Sequence, residues 1–369
     1  FVLRNENYVG QNRQLMKSMT KKNIQARKRA YLRRARKSYN SLTSHFNNSV
    51  AWVCTHHYYQ SKVINTKGKA RVIHSPTNIL KKAQYYILHQ GQFPDCHSAA
   101  TSTTGKGVKH NVDVHAGAKA VLKIDLANFF DSFDEETTKK NLAASDSEVK
   151  KWILDNYGFI FFKNYSSLGG ERLRDIPDGK MFLPTGSRLS PLASNLILKH
   201  IDVAFSEKAK QCGATYTRYL DDMVFSFREK PSVKVKEELS QYTYKLLTDF
   251  GWKINSKKSG WAHPSTGYQV TGSRVSSEVP VIPRDFIRKL RAALNNQAYQ
   301  HCRTSVNTPR VYGLAQQQAK KKFEEEEASV LKNRLDSKTR GKLEYVKQIN
   351  PEQHDKLLEY YRRRMLRFV

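Results

Sequence analysis

The sequence predicts an α+β chain. Short runs rich in Val, Ile, Tyr and Phe, bounded by turn residues, recur at residues 62 to 73, 121 to 124 and 215 to 227, as strands and hairpins do. Longer stretches free of Pro and Gly, at residues 21 to 39 and 192 to 205, suit helices. Beyond Pro283 the chain turns helical in character. At 369 residues and 39% hydrophobic composition, the chain suffices for roughly two or three packed units.

The first element is marked by charge. The chain carries 64 Lys plus Arg against 33 Asp plus Glu, a net charge of +31. Such an excess points to a polyanionic partner, because neutralising phosphates releases their condensed counterions. Between Glu6 and Asp95 stand 17 Lys or Arg and no acidic residue. The densest part, "KKNIQARKRAYLRRARKSY" at residues 21 to 39, has weak apolar periodicity. It reads as a helix or arm that lays Arg27, Arg29, Arg33 and Arg34 along phosphates. A solvated basic tail is the plainer reading of the same residues. A membrane-surface helix is disfavoured, since no broad apolar face accompanies the charge.

Next, "KVINTKGKARVI" at residues 62 to 73 is a hairpin with Asn65 to Gly68 as its turn. Lys69 and Arg71 stand two residues apart on its second strand and share a face. In "AVLKIDLANFFDSF", residues 120 to 133, the run Val121 to Ile124 is a buried strand that delivers Asp125 at its end. In "LPTGSRLSPLASN", residues 183 to 195, Gly186 permits close backbone approach, and Ser190 and Pro191 read as N-cap and first helical residue. Leu192, Leu196, Ile197, Ile201, Ala204 and Phe205 give the helix one apolar face.

"TYTRYLDDMVFSF", residues 215 to 227, is a hairpin with Asp221 and Asp222 at its tip. As turn residues these acids would only cap their own backbone. Joined by Asp125, they would form a cluster that repels itself unless divalent cations sit within it. Two such ions suit phosphoryl transfer, one activating a hydroxyl and one stabilising the leaving pyrophosphate. After Pro283, Phe286, Leu290, Ala293 and Leu294 form one helical stripe. Asn350, Pro351 and Gln353 are the N-cap, first residue and capping-box partner of a helix with Leu357, Leu358, Tyr361 and Met365 inward. Arg362 to Arg364 suit a helix C-terminus and equally an RNA stem.

The ordered set of Asp125 with Phe129 and Phe130, "LPTGSRLSPLASN", "YLDD" and "GWKINSKKSG" resembles motifs A to D of reverse transcriptases. "NVDVH" at residues 111 to 115 and "VTG" at 270 to 272 resemble features of the retron branch. The resemblance covers residues 62 to 368, with departures at Val112, Leu220 and Thr185. It implies a right-hand polymerase: a basic N-terminal helix or arm over 1–40, fingers over 41–118 and 135–185, and a palm with an antiparallel sheet over 119–134 and 186–278. A helical thumb with an RNA-binding C-terminal region follows over 279–369.

The same resemblance implies roles. Asp125, Asp221 and Asp222, with Leu126 added to the metal set, would hold two Mg²⁺ ions, with Mn²⁺ a substitute. Lys258, in the Asn255-x-x-Lys258 spacing, would protonate the departing pyrophosphate, a general-acid role. Lys69, Arg71, Thr185, Gly186 and Arg188 would contact the nucleotide, and the ring of Phe130 would exclude a ribose 2′-OH, while Phe129 is core. Val270, Thr271 and Gly272 would grip the primer, and Asn111, His115, Arg362 and Arg363 join the primer and RNA contacts. The implied activity is RNA-directed DNA polymerisation with dNTPs on a cognate structured non-coding RNA. Synthesis would start from an internal guanosine 2′-OH, leave a branched RNA–DNA hybrid, and serve anti-phage defence with an effector protein.

No apolar run approaches the roughly 20 residues needed to span a bilayer. Cys54, Cys96, Cys212 and Cys302 are scattered and form no Cys-x-x-Cys pair, which argues for the cytoplasm and against zinc. His56 and His57 suit surface or packing roles better than ligation. Three other readings stay open: an abortive-infection enzyme that extends DNA without a template, an intron-type reverse transcriptase, and an RNA-binding scaffold with a silent site. Glu324 to Glu327 have no assigned role.

Overall fold

A computed structural model describes residues 25–44, 58–66, 69–103, 105–163, 180–262, 267–305 and 333–368. The Gly68 turn, His56 and His57, and Glu324 to Glu327 lie outside the described residues. The chain opens with helix α1 (25–44), the strands β1 (Tyr59–Thr66) and β2 (Lys69–Pro76), helices α2 (Asn78–Gln90) and α3 (Val108–Val114), and strand β3 (Ala120–Asp125). Helices α4 (Glu135–Ala143), α5 (Ser147–Asp155) and α6 (Tyr157–Ile160) precede the short strands β4 (Phe162–Lys163) and β5 (Met181–Phe182). Helices α7 (Ser190–Ile197) and α8 (Lys199–Gln211), strands β6 (Thr215–Tyr219) and β7 (Asp222–Phe227), and helix α9 (Val233–Asp249) come next. Strands β8 (Gly260–Trp261), β9 (Gln269–Val270) and β10 (Ser273–Arg274) lead to helices α10 (Arg284–Ser305), α11 (Ser337–Ile349) and α12 (Pro351–Phe368). Chain contacts divide these into two interleaved units. The first holds Phe1–Ala100, Leu126–Ala204 and Tyr242–Ile254, and the second Thr101–Asp125, Phe205–Gln241 and Asn255–Val369.

In the first unit α1 is helical, and its inner stripe is Tyr31, Ala35, Tyr39 and Leu42. Ala35 and Leu42 are buried, Tyr31 meets Tyr85 edge-on at 4.9 Å, and Tyr39 stacks on Phe159 at 5.2 Å. The stripe looked weak in sequence because Tyr and Ala register as only faintly apolar. Arg27, Arg29, Arg33 and Arg34 all point to solvent. The hairpin of β1 and β2 is longer than expected, with Thr66 opposite Lys69 and Ile64 opposite Arg71. Two corrections concern the helix after residue 190. Ser190 is already helical, and its hydroxyl donates to the Pro184 carbonyl at 2.9 Å instead of capping, so the N-cap position falls on Leu189. The apolar face is also interrupted, because Leu198 ends α7 before α8 begins.

The second unit is organised by an antiparallel sheet in the order β6-β7-β3-β8. Strand alternation sorts its residues onto two faces. Leu122, Ile124, Met223 and Phe225 are fully buried on one face, where Phe205 of α8 meets Tyr216 and Phe225 at 5.5 Å. Burying each such side chain contributes about 1.5–3 kcal/mol. The other face carries Val121, Lys123 and Asp125 beside Ser226, Val224 and Asp222. Its lower part is apolar, with Val121 and Val224 packed among Val112, Tyr268, Val270 and Val275. In the C-terminal helices the expected stripes hold: Leu290, Leu294, Leu357, Tyr361 and Met365 share one core with Leu343 and Val346. Asn350 caps α12 by accepting from the Gln353 N–H at 2.9 Å.

Candidate active site

The β3–β7 register sets Asp125 directly opposite Asp222. Directly opposed residues on one sheet face hold their Cβ atoms about 4.5–5.5 Å apart, and like charges there destabilise the pair. Asp221 adds a third carboxylate from the two-residue loop between β6 and β7. That loop is tight: Leu220 takes a φ of 56°, a left-handed conformation that branched and bulky residues rarely accept. The Leu220 carbonyl accepts from Arg218 Nη1 at 3.3 Å, and Arg218 is wholly buried. Burial, followed by the charges of Asp222 and Asp125, pushes the Asp221 carboxyl above the usual carboxylate range. The fold therefore concentrates negative charge where it is poorly tolerated.

Asp125 is 6% exposed and has two cationic or amide neighbours. Lys258 Nζ donates to its two oxygens at 3.1 and 2.9 Å, and Asn255 Nδ2 donates to Oδ1 at 3.0 Å. These bonds follow from the turn after α9, where the Asn255 N–H donates to the Asp125 carbonyl at 2.9 Å and the Lys258 N–H to the Asn255 carbonyl at 3.0 Å. The hydrogen bond to Asp125 holds the Lys258 ammonium above its ordinary range. Among the described residues no three His, Cys, Asp or Glu are gathered closely enough to enclose an ion, and Asp125 turns to Lys258 and Asn255. In donor chemistry the three carboxylates nonetheless fit hard divalent cations, which take oxygen ligands. Leu126, buried and apolar, has only its backbone carbonyl to offer.

Beneath the carboxylates lies a polar network that sequence reasoning assigned otherwise. Asn111 and His115 were expected at RNA, but they are 0% and 1% exposed. The Thr217 hydroxyl donates to Asn111 Oδ1 at 2.6 Å, which leaves its oxygen to accept from His115 Nε2 at 2.7 Å. His115 Nδ1 then accepts from the Ser226 hydroxyl at 2.6 Å. Burial, with a smaller push from Arg228, lowers the ring to a pKa of about 3, so it is neutral. The Thr101 N–H adds a bond to the Arg218 carbonyl at 2.8 Å. These groups tie α3 and its approach to both strands of the Asp221–Asp222 hairpin, which is a positioning role. Thr101, Thr217, Arg218 and Ser226 carried no motif, and only the place of Thr217, Arg218 and Ser226 among the hairpin's apolar residues hinted at burial.

The turn expected to grip the primer divides similarly. Val270 is wholly buried in the core, so its side chain cannot touch a primer, whereas Gly272 is exposed at a φ of 90°. Tyr345 of α11 fixes the turn, its hydroxyl 2.6 Å from Ser273 Oγ and 3.4 Å from the Thr271 carbonyl. Arg362 and Arg363 both pair with Glu359 at 3.0 Å. Such partly exposed pairs contribute little, so a phosphate can compete for them.

The expected nucleotide contacts belong to the first unit. Arg71 and Arg188 are exposed, with the Arg188 guanidinium 5.7 Å from the Tyr85 ring centre. Gly186 is required where it stands, because a Cβ there would come within 2.8 Å of the His74 carbonyl while the His74 N–H donates to Thr185 O. Phe130 is half-buried beside Phe129, and Phe129 is core as expected, packed on Phe133 and Trp252.

Comparison with known proteins agrees with this geometry. A family model described as reverse transcriptase (RNA-dependent DNA polymerase) matches residues 59–277. The retron Mx162 reverse transcriptase of Myxococcus xanthus is 28% identical over 256 residues, covering 65% of this chain and 53% of that protein. The retron Ec86 reverse transcriptase of Escherichia coli is 27% identical over 245 residues, 64% of this chain and 69% of its own. The retron Mx65 reverse transcriptase of Myxococcus xanthus is 26% identical over 313 residues, 82% and 63% respectively. The matched region thus spans about half the length of the Mx162 protein.

Proposed function

Because the chain belongs to the reverse transcriptase family and has retron reverse transcriptases as relatives, we propose that it is an RNA-directed DNA polymerase of the retron type. Its architecture is that of a right-hand polymerase, with the antiparallel sheet as palm. The observation that carries the proposal is the register of β3 on β7, which opposes Asp125 and Asp222 with Asp221 beside them. Divalent ions held by these carboxylates, Mg²⁺ or Mn²⁺, supply charge neutralisation for an attacking hydroxyl and a leaving pyrophosphate. Asn255 fixes the Asp125 carboxylate, and Lys258 keeps a proton at Nζ next to the reacting groups, where a departing pyrophosphate can receive it. Phe130 serves as the gate against ribonucleotides, with Lys69, Arg71, Thr185, Gly186 and Arg188 on the nucleotide.

We propose further the substrate that the resemblance of the sequence motifs implies. The template is a cognate structured non-coding RNA, primed from an internal guanosine 2′-OH, with a branched RNA–DNA product and an effector partner in phage defence. Among the described residues no helix is long and apolar enough to cross a membrane. The test is to purify the protein from its host, sequence the co-purifying nucleic acid and probe it for a 2′-5′ branch. Branched RNA-linked DNA is the expected result. RNA alone, from a protein that incorporates no dNTP with Mg²⁺, would place the chain among silent scaffolds.

Helix α1 supports the RNA partner, since its aromatic stripe is docked and its arginine face is exposed. Neutralising Arg27, Arg29, Arg33 and Arg34 to Gln should weaken RNA binding without unfolding the protein. Each phosphate left without its arginine should lower the log–log salt slope by about 0.7 to 0.9. Sequence preference should hardly change, because phosphate contacts carry no base information. Binding titrations at several salt concentrations check this, and an unaltered slope would assign the arginines to solubility or a protein partner.

A further inference from the structure

On the β3 face that carries Asp125, the residue one step back along the strand is Lys123. Side chains two apart on a strand share a face and lie about 6.5–7 Å from one another. Lys123 is half-buried on an interior strand, between Val224 of β7 and Gly260 of β8. The Gly260 side is open: a Cβ placed there would meet no atom within 4 Å. Lys123 also lines a cleft of about 400 Å³ together with Lys257, Lys258, Gly260, Trp261 and Gln269. Among the described residues no carboxylate pairs with Lys123 or Lys257, while the neighbouring Asp125 already receives Lys258.

A cation partly withdrawn from water on a sheet face is costly unless an anion meets it. The cleft offers room for that anion, the ammonium groups of Lys123 and Lys257 to hold it, and an amide at Gln269 to donate a further bond. Its two ends fix which anion fits. One end is Lys258, bound to Asp125 at the carboxylate cluster, and the other is Gln269, the first residue of the strand that leads into the primer-grip turn. We infer that Lys123 and Lys257, with Gln269, form a subsite for a backbone phosphate of the strand being extended, just behind its reacting 3′ end. The inference rests on the polymerase reading and adds to it a contact outside the metal ligands. Gly260 contributes by having no side chain: a larger residue would both fill the space beside Lys123 and adopt a φ of 140° that L side chains rarely take.

The test replaces individual primer phosphates near the 3′ end, one linkage at a time, with neutral methylphosphonates. Binding of each primer annealed to RNA is measured for the parent, for Lys123→Met, which keeps the aliphatic stem, and for Lys123→Arg. One linkage should stand out in the parent, weakening binding about tenfold, the scale of a charge-assisted phosphate contact. That linkage should become nearly silent in Lys123→Met and sensitive again in Lys123→Arg, and the salt slope of Lys123→Met should fall by about 0.7 to 0.9. Lys257→Gln, on an exposed turn, gives a second reading should Lys123→Met melt early. The subsite is overturned if no linkage stands out in the parent, or if the variants keep the parent's pattern. A loss of pyrophosphate inhibition in Lys123→Met alongside an unchanged linkage pattern would identify the ligand as the leaving group, which also overturns it. A parent that extends primers yet shows no sensitive linkage leaves the polymerase reading intact, whereas a parent that neither binds nor extends them removes both.

Discussion

Asp221→Asn or Asp125→Asn abolishes DNA synthesis while leaving RNA affinity close to that of the parent. Each change removes a charge from the cluster with almost no change in volume. An ion held at such a site contributes several kcal/mol of transition-state stabilisation, so the loss should be on the order of 10³-fold or more in dNTP incorporation. The two variants part company in stability. Burial and the charges of Asp222 and Asp125 disfavour the charged form of Asp221, so its neutralisation should leave the metal-free protein as stable as before or more so. Asp125 receives Lys258 and Asn255, and its amide variant loses the charge that Lys258 faces. Incorporation, RNA affinity and thermal melting on the same preparations check all three statements. Near-parental synthesis by either variant defeats the two-metal assignment, and a collapse of RNA binding would show that folding, not chemistry, had been lost.

His115→Ala is expected to have the largest effect on stability. It leaves the buried hydroxyls of Thr217 and Ser226 without their ring partner and opens a cavity behind the carboxylate hairpin. Such a change costs about 2–5 kcal/mol. The pH dependence separates this role from simple packing. In the unfolded chain His115 takes up a proton near its ordinary 6.5, whereas burial lowers the folded ring to about 3. Between those values the unfolded state binds more protons, so folding stability falls as pH falls, by about 1.4 kcal/mol per pH unit. Above 6.5 the stability due to the neutral ring is fully present. Denaturant titrations from neutral to mildly acid pH should show a steep loss in the parent and a shallower one in His115→Ala. His74, lowered by burial to about 4, preserves part of the slope in the variant. Identical slopes in both proteins would mean that His115 is not the buried neutral group described.

The strands were legible because they are short, β-branched and aromatic, and because Asp125, Asp221 and Asp222 interrupt them at their ends. The stripes of the last helices were legible for a comparable reason: Leu290, Leu294, Leu357, Tyr361 and Met365 repeat at helical spacing with charge between them. What sequence could not decide is which strand lies beside which, since backbone hydrogen bonds are indifferent to residue type. Only the β3–β7 register sets Asp125 against Asp222, with Asp221 in the adjoining loop. Burial of polar residues was hidden for the same reason. Asn111, His115, Thr217 and Arg218 look like surface groups in a string, and partners as many as 117 residues away bond to them inside the fold. Val270 shows the converse, a motif residue that the core claims and the primer cannot reach. Local periodicity follows from neighbours a few residues apart, so the string alone reports it. Charge compensation and desolvation depend on groups far apart in the string, and they exist only once the chain has folded them together.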